Sequence, residues 1–87
     1  MAVDVTIPRM LAELVKDERH FEVEGATVGE VLHGVTVRHP VLAVHLFDES
    51  GTVRPHVSVF LNGRMTELAV ATSAGDELVV LQAVSGG

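Results

Sequence analysis

The residues best suited to chemistry stand at the end of the chain, Ser85-Gly86-Gly87. Two residues without Cβ make a thread narrow enough for a tight channel and accept backbone angles that other residues resist. Fully extended, the three residues reach about 10 Å beyond whatever body precedes them. What they deliver is the α-carboxylate of Gly87. A carboxylate is resonance-stabilised and acylates poorly, so it must first be activated, for instance as an acyl-adenylate. A sulfur nucleophile that then displaces AMP leaves a thiocarboxylate. None of this requires a catalytic side chain on the chain itself. The plainer reading of the same residues is a frayed terminus.

Other reactive side chains are scattered. The histidines are His20, His33, His39, His45 and His56. No two have the i, i+4 spacing that sets a pair of ligands on one helix face, and His33 and His39 lie about 240° apart on a helix. No metal site is expected, although His56 could touch a partner. The acidic pairs Asp17/Glu18, Asp48/Glu49 and Asp76/Glu77 sit beside turns, where carboxylates are solvated rather than tuned for acid–base work. Gly25, Gly29 and Gly34 do not have the spacing of a phosphate loop. With no Cys, disulfides, thiolate metal sites and cysteine nucleophiles are excluded. No catalytic residue is expected.

The body that positions the tail must be one small domain, since 87 residues leave no room for a second. A chain this short buries about 60–65% of its unfolded surface, so the core must be used efficiently. Seventeen residues are Val, a bias toward strands. The net charge of −6 argues against nucleic acid and anionic membranes and favours a basic protein partner. Asp4 stands where a secretory signal would carry a base, and no apolar run approaches membrane-spanning length; a cytoplasmic protein is expected.

Val3, Val5 and Ile7 alternate with polar residues as in a half-buried strand. Pro8 suits a helix start, with Met10, Leu11, Leu14 and Val15 as the buried stripe. Phe21 and Val23 mark a second strand over residues 20–24, and the two strands can form a hairpin with the helical turn at its tip. Thr27 and Glu30 form a capping box. Val28, Val31, Leu32 and Val35 follow at helical spacing, so a helix is predicted over residues 28–39, stopped by Pro40. Gly29 and Gly34 each cost it about 1 kcal/mol, so it must lean on a sheet. Residues 41–47 are apolar without a clear period, and Asp48 to Gly51 is a turn. Val57, Val59 and Leu61 alternate before Asn62-Gly63, a strong hairpin signal, with residues 64–68 as the return strand. Gly75-Asp76 makes a turn before residues 78–84, a nearly continuous apolar run that suits a central strand buried on both faces. The order predicts an α+β domain, one sheet covered by one main helix.

The helix with its capping box, Val57-Ser-Val-Phe-Leu-Asn-Gly63, Gly75-Asp-Glu-Leu78 and Val84-Ser-Gly-Gly87 together resemble the ubiquitin-like β-grasp sulfur carriers. That group spans the molybdopterin synthase small subunit, the thiamine sulfur carrier and the cysteine-biosynthesis carrier. The resemblance covers nearly the whole chain and implies a β-grasp domain over residues 1–84 with a flexible tail over residues 85–87. It implies a sulfur carrier, not an enzyme, that binds no cofactor. A ubiquitin-activating-type enzyme would spend ATP to adenylate Gly87 and bring about its conversion to a thiocarboxylate. A sulfur-accepting synthase would then take the sulfur, for cysteine or another sulfur metabolite. Only Gly86 and Gly87 carry over as functional residues; Ser85 would thread with them. Alternatives are a molybdopterin synthase small subunit and a modifier joined through Gly87 to lysines. Phe60 and Phe47 are candidate docking residues with His56, because the sheet face away from the helix needs a polar surface or a partner. The short stretch between Gly63 and Gly75, and Gln82-Ala83 where relatives often carry proline, depart from the family pattern.

Overall fold

Val3 and Val5 bury while Asp4 stays exposed, giving β1 (Val3–Thr6) in the computed structural model, which describes residues 2–83. β1 pairs antiparallel with β2 (His20–Val23), Val5 opposite Phe21, so the first two strands form the hairpin with helical turns at its tip. Those turns are α1 (Arg9–Ala12) and a 3₁₀ turn over Glu13–Val15. They bury Leu11, Ala12 and Val15, whereas Met10 is 59% and Leu14 46% exposed. The expected stripe is therefore shifted. Leu11, Ala12 and Val15, at i, i+1 and i+4, form the inward face, which leaves Met10 and Leu14 on its flank. Lys16 and Asp17, at φ 58° and 62°, then reverse the chain.

α2 (Val28–Arg38) begins where the capping box places it. The Glu30 N–H donates to Thr27 Oγ1 at 3.2 Å, and Glu30 Oε1 accepts from the Ala26 N–H at 3.2 Å. Val28, Val31, Leu32 and Val35 are buried as the spacing predicts. Pro40 ends the helix and opens a 3₁₀ turn (Pro40–Leu42), which runs into α3 (Ala43–Leu46). The apolar residues 41–47 are thus mostly helical, with Leu42 and Leu46 inward.

β3 (Val57–Leu61) turns through Asn62 and Gly63, at φ 50° and 84°, into β4 (Arg64–Met65). Both angles belong to the type I′ turn the dipeptide signals. The return strand stops at Met65 instead of running to Leu68. Beyond it the Leu68 and Val70 carbonyls accept from the Gly29 and Val28 N–H groups, both at 2.9 Å, at the first turn of α2. Those N–H groups would otherwise lack partners, and meeting that need draws the chain off the sheet edge.

β5 (Glu77–Gln82) lies between β1 and β3, and the sheet order is β2-β1-β5-β3-β4. It runs parallel to β1 and antiparallel to β3. Leu78 and Val80 face the core, but Val79 is only half-buried and Leu81 is 48% exposed. The expectation of burial on both faces is thus corrected: the core covers one face of this strand. Val84, expected at the strand's end, lies outside the described residues.

Candidate functional site

The hydrogen bond from the Ala83 N–H to the His56 carbonyl, 2.8 Å, holds the last described residue beside the start of β3. β5 therefore delivers the chain to one end of the sheet. Ser85, Gly86 and Gly87 lie outside the described residues.

Side chains alternate across a pleated sheet, so the register fixes what shares its outer face. One cross-strand row runs Met65, Phe60, Val79, Thr6, His20. Leu81 sits opposite Ser58 in the next row, two residues before Ala83. Met65 is 70% exposed, and Phe60 and Val79 are half-buried. On the β3–β5 half of the face Phe60, Val79 and Leu81 thus make an apolar patch beside the point where the chain leaves the sheet, with Ser58 opposite Leu81 and Glu77 at the other end of β5. The other half is polar, carrying Asp4, Thr6, His20 and Glu22, with Thr6 Oγ1 3.1 Å from His20 Nδ1.

Phe60 belongs to this face. His56 is exposed at its edge, with its backbone carbonyl engaged by Ala83. Phe47 is elsewhere: it follows α3, bridges Val53 and packs partly buried against the core, so the fold does not group it with Phe60. Met65, Val79 and Leu81 were not singled out in the sequence. The Asn62-Gly63 hairpin carries the signal for Met65, which it sets opposite Phe60, whereas Val79 and Leu81 join that face only through the β3–β5 pairing.

Among the described residues, no three His, Asp or Glu side chains gather as a metal site would require. Asp48 and Asp76 each brace a turn with their carboxylates. Asp48 is held below its ordinary range by the Ser50 hydroxyl, then by the Thr52 N–H. Asp76 is lowered by the Asn62 amide, then by the Ser73 N–H. Both are ionised acceptors within turns, not groups poised to give up a proton.

Comparison with known proteins agrees with this geometry. Small archaeal modifier protein 1 of Haloferax volcanii is 42% identical over 67 residues, 76% of this chain and 77% of its own. The crystal structure of SAMP1 from that organism superposes over 100% of both chains, with a TM-score of 0.91 and 34% identity. A chain of the Amycolatopsis orientalis BexX/CysO complex covers 99% of this chain and 100% of its own, with a TM-score of 0.88 and 32% identity. The sulfur carrier protein CysO of Mycobacterium tuberculosis is 28% identical over the full length of both chains. The β-grasp order of strands around α2 is common ground for all of these observations, and the ThiS family model matches residues 5–87; the chain belongs to the ThiS family.

Proposed function

We propose that the chain is a sulfur carrier whose Gly87 carboxylate is adenylated and then converted to a thiocarboxylate. The observation that carries this reading is the family match, whose bounds, residues 5–87, take in Gly86 and Gly87. The fold supports it by ending β5 beside an open apolar face. An activating enzyme of the ubiquitin-activating type spends ATP to make the acyl-adenylate. Displacement of AMP by a sulfur nucleophile then leaves the thiocarboxylate, which a sulfur-accepting synthase consumes in making cysteine or another sulfur metabolite. The carrier is a co-substrate in both steps. Phe60, Met65, Val79 and Leu81 dock on the activating enzyme while the tail enters its active site.

Incubation with a cognate activating enzyme, ATP and a sulfur source should raise the intact mass by one oxygen-for-sulfur exchange. Removal of Gly86 and Gly87 should abolish the gain. An unchanged mass with active enzyme, or a gain that survives the deletion, sinks the proposal.

A second reading is supported by the 42% identity to a protein named as a modifier. In it the activated Gly87 is joined to lysine amines. Trypsin would not leave a diglycine mark, because the last basic residue before the tail is Arg64. The remnant to seek on acceptor lysines is the whole segment 65–87.

A further inference from the structure

We infer that Lys16 is the acceptor through which one copy of this chain is joined to the Gly87 of another. The inference rests on the activation of Gly87 proposed above.

Lys16 is the single lysine in the sequence; the other five basic residues are Arg9, Arg19, Arg38, Arg54 and Arg64. A guanidinium stays protonated and does not attack acyl groups, so Lys16 is the chain's one side-chain amine. The basic residues are also used differently. Arg19 donates to the Ile7 carbonyl, Arg38 to the Glu22 carbonyl and Arg54 to the Val44 carbonyl. Each ties a loop or helix end to the fold. Lys16 is exposed and, among the described residues, makes no ion pair or side-chain hydrogen bond.

Its backbone is nonetheless pinned. Lys16 has φ 58° at the end of the 3₁₀ turn, and Asp17 follows at φ 62°. The Asp17 N–H donates to the Ala12 carbonyl at 2.8 Å, and the Glu18 N–H to the Val15 carbonyl at 3.2 Å. A long side chain therefore projects from a fixed point with nothing to occupy its amine. Lys16 also borders a surface cleft with Leu14, Val41 and Arg38, where a narrow tail could lie. Leu14 and Val41 are each 46% exposed, giving apolar walls for the residues that precede a diglycine.

The step balances without a further reagent. The neutral Lys16 amine attacks the carbonyl carbon of the Gly87 acyl-adenylate of a second copy. A C–N bond forms, the C–O bond to AMP breaks, AMP leaves with the electron pair, and the amine proton passes to solvent. The product is two chains less one water relative to the free acids.

The test uses the full chain, a cognate activating enzyme and ATP, with and without sulfide. Without sulfide, the expected product is a linked pair. Blocked at Lys16, trypsin should yield segment 10–19 carrying segment 65–87 on the lysine. Lys16→Arg keeps a long cationic side chain in the same turn, so the fold is retained and the linked pair should be lost. That variant should still form thiocarboxylate when sulfide is supplied. Linkage to the N-terminal amine, a monomer that loses water, or a linked pair that persists in Lys16→Arg overturns the inference. Thiocarboxylate formation without any linked pair overturns it while sparing the carrier reading. Failure to form thiocarboxylate removes both.

Discussion

Asn62 and Asp76 join three segments through side-chain hydrogen bonds. Asn62 Nδ2 donates to Asp76 Oδ1 at 3.0 Å, and Asn62 Oδ1 accepts from the Glu77 N–H at 2.9 Å. Asp76 Oδ2 accepts from the Ser73 N–H at 2.7 Å. The residue that makes the β3–β4 turn thereby also fixes the entry of β5, the strand that presents the tail. These bonds favour the Asp76 carboxylate, so its folded pKa lies below the ordinary 3.8. A lowered folded pKa contributes stability that is whole above the unfolded value and is lost as pH falls through the folded one. Melting temperature should therefore drop as pH is lowered past 3.8, and Asp76→Asn should shallow that drop while lowering stability near neutrality. An acid limb of unchanged slope in the variant would show that Asp76 does not contribute. The turn itself was legible in Asn62-Gly63, because positive φ suits both residues. The second use of Asn62 was not, since it joins residues 14 apart that meet only after the sheet forms.

At the scale of elements, α2 shows why local propensity and tertiary packing must be weighed together. Gly34 sits in mid-helix, where Ala would ordinarily add about 1 kcal/mol of helix stability. A Cβ at Gly34 would fall 2.6 Å from Val23 Cγ1, so the stiff Val23 side chain or the helix would have to shift. Overpacking of this kind costs about 1–3 kcal/mol and should exceed the helical gain. Gly34→Ala is thus expected to destabilise by roughly 1 kcal/mol in urea unfolding, and Val23→Ala in the same chain should reduce that penalty. A stabilised single variant would mean that the helix relaxes away from β2 without cost. The elements were legible wherever one local rule dominated: the capping box for α2, alternation for β1 and β3. They were misread where tertiary need overrode the pattern. β4 ends early because Leu68 and Val70 serve the α2 N-terminus, and the inward face of α1 takes in Ala12 and leaves Met10 and Leu14 outside. The continuous apolar run in β5 suggests two covered faces, yet Val79 and Leu81 stand on an open one.

For the whole molecule, the proposed docking would divide recognition between that open face and the net charge of −6. Charge acts over a Debye length, about 8 Å at physiological salt, and sets encounter rates with a basic partner. The apolar patch acts only on contact, and in the proposed function it would hold the complex while the tail is loaded. The two contributions should separate experimentally. Leu81→Asp and Met65→Asp place charge on the patch, so folding stability should fall by no more than about 1 kcal/mol and the variants should stay folded. Each should lower kcat/KM for adenylation roughly tenfold, as expected when an apolar anchor at a desolvated contact is replaced by a charge. Val37→Asp is the matched control, since Val37 is 67% exposed on α2, away from the sheet's outer face. Raising the salt concentration should slow adenylation of all three variants and the parent by a similar factor, because net charge is nearly common to them. Were Val37→Asp to impair adenylation as much as Leu81→Asp, the loss would reflect added negative charge, and the β3–β5 face would not be the docking surface.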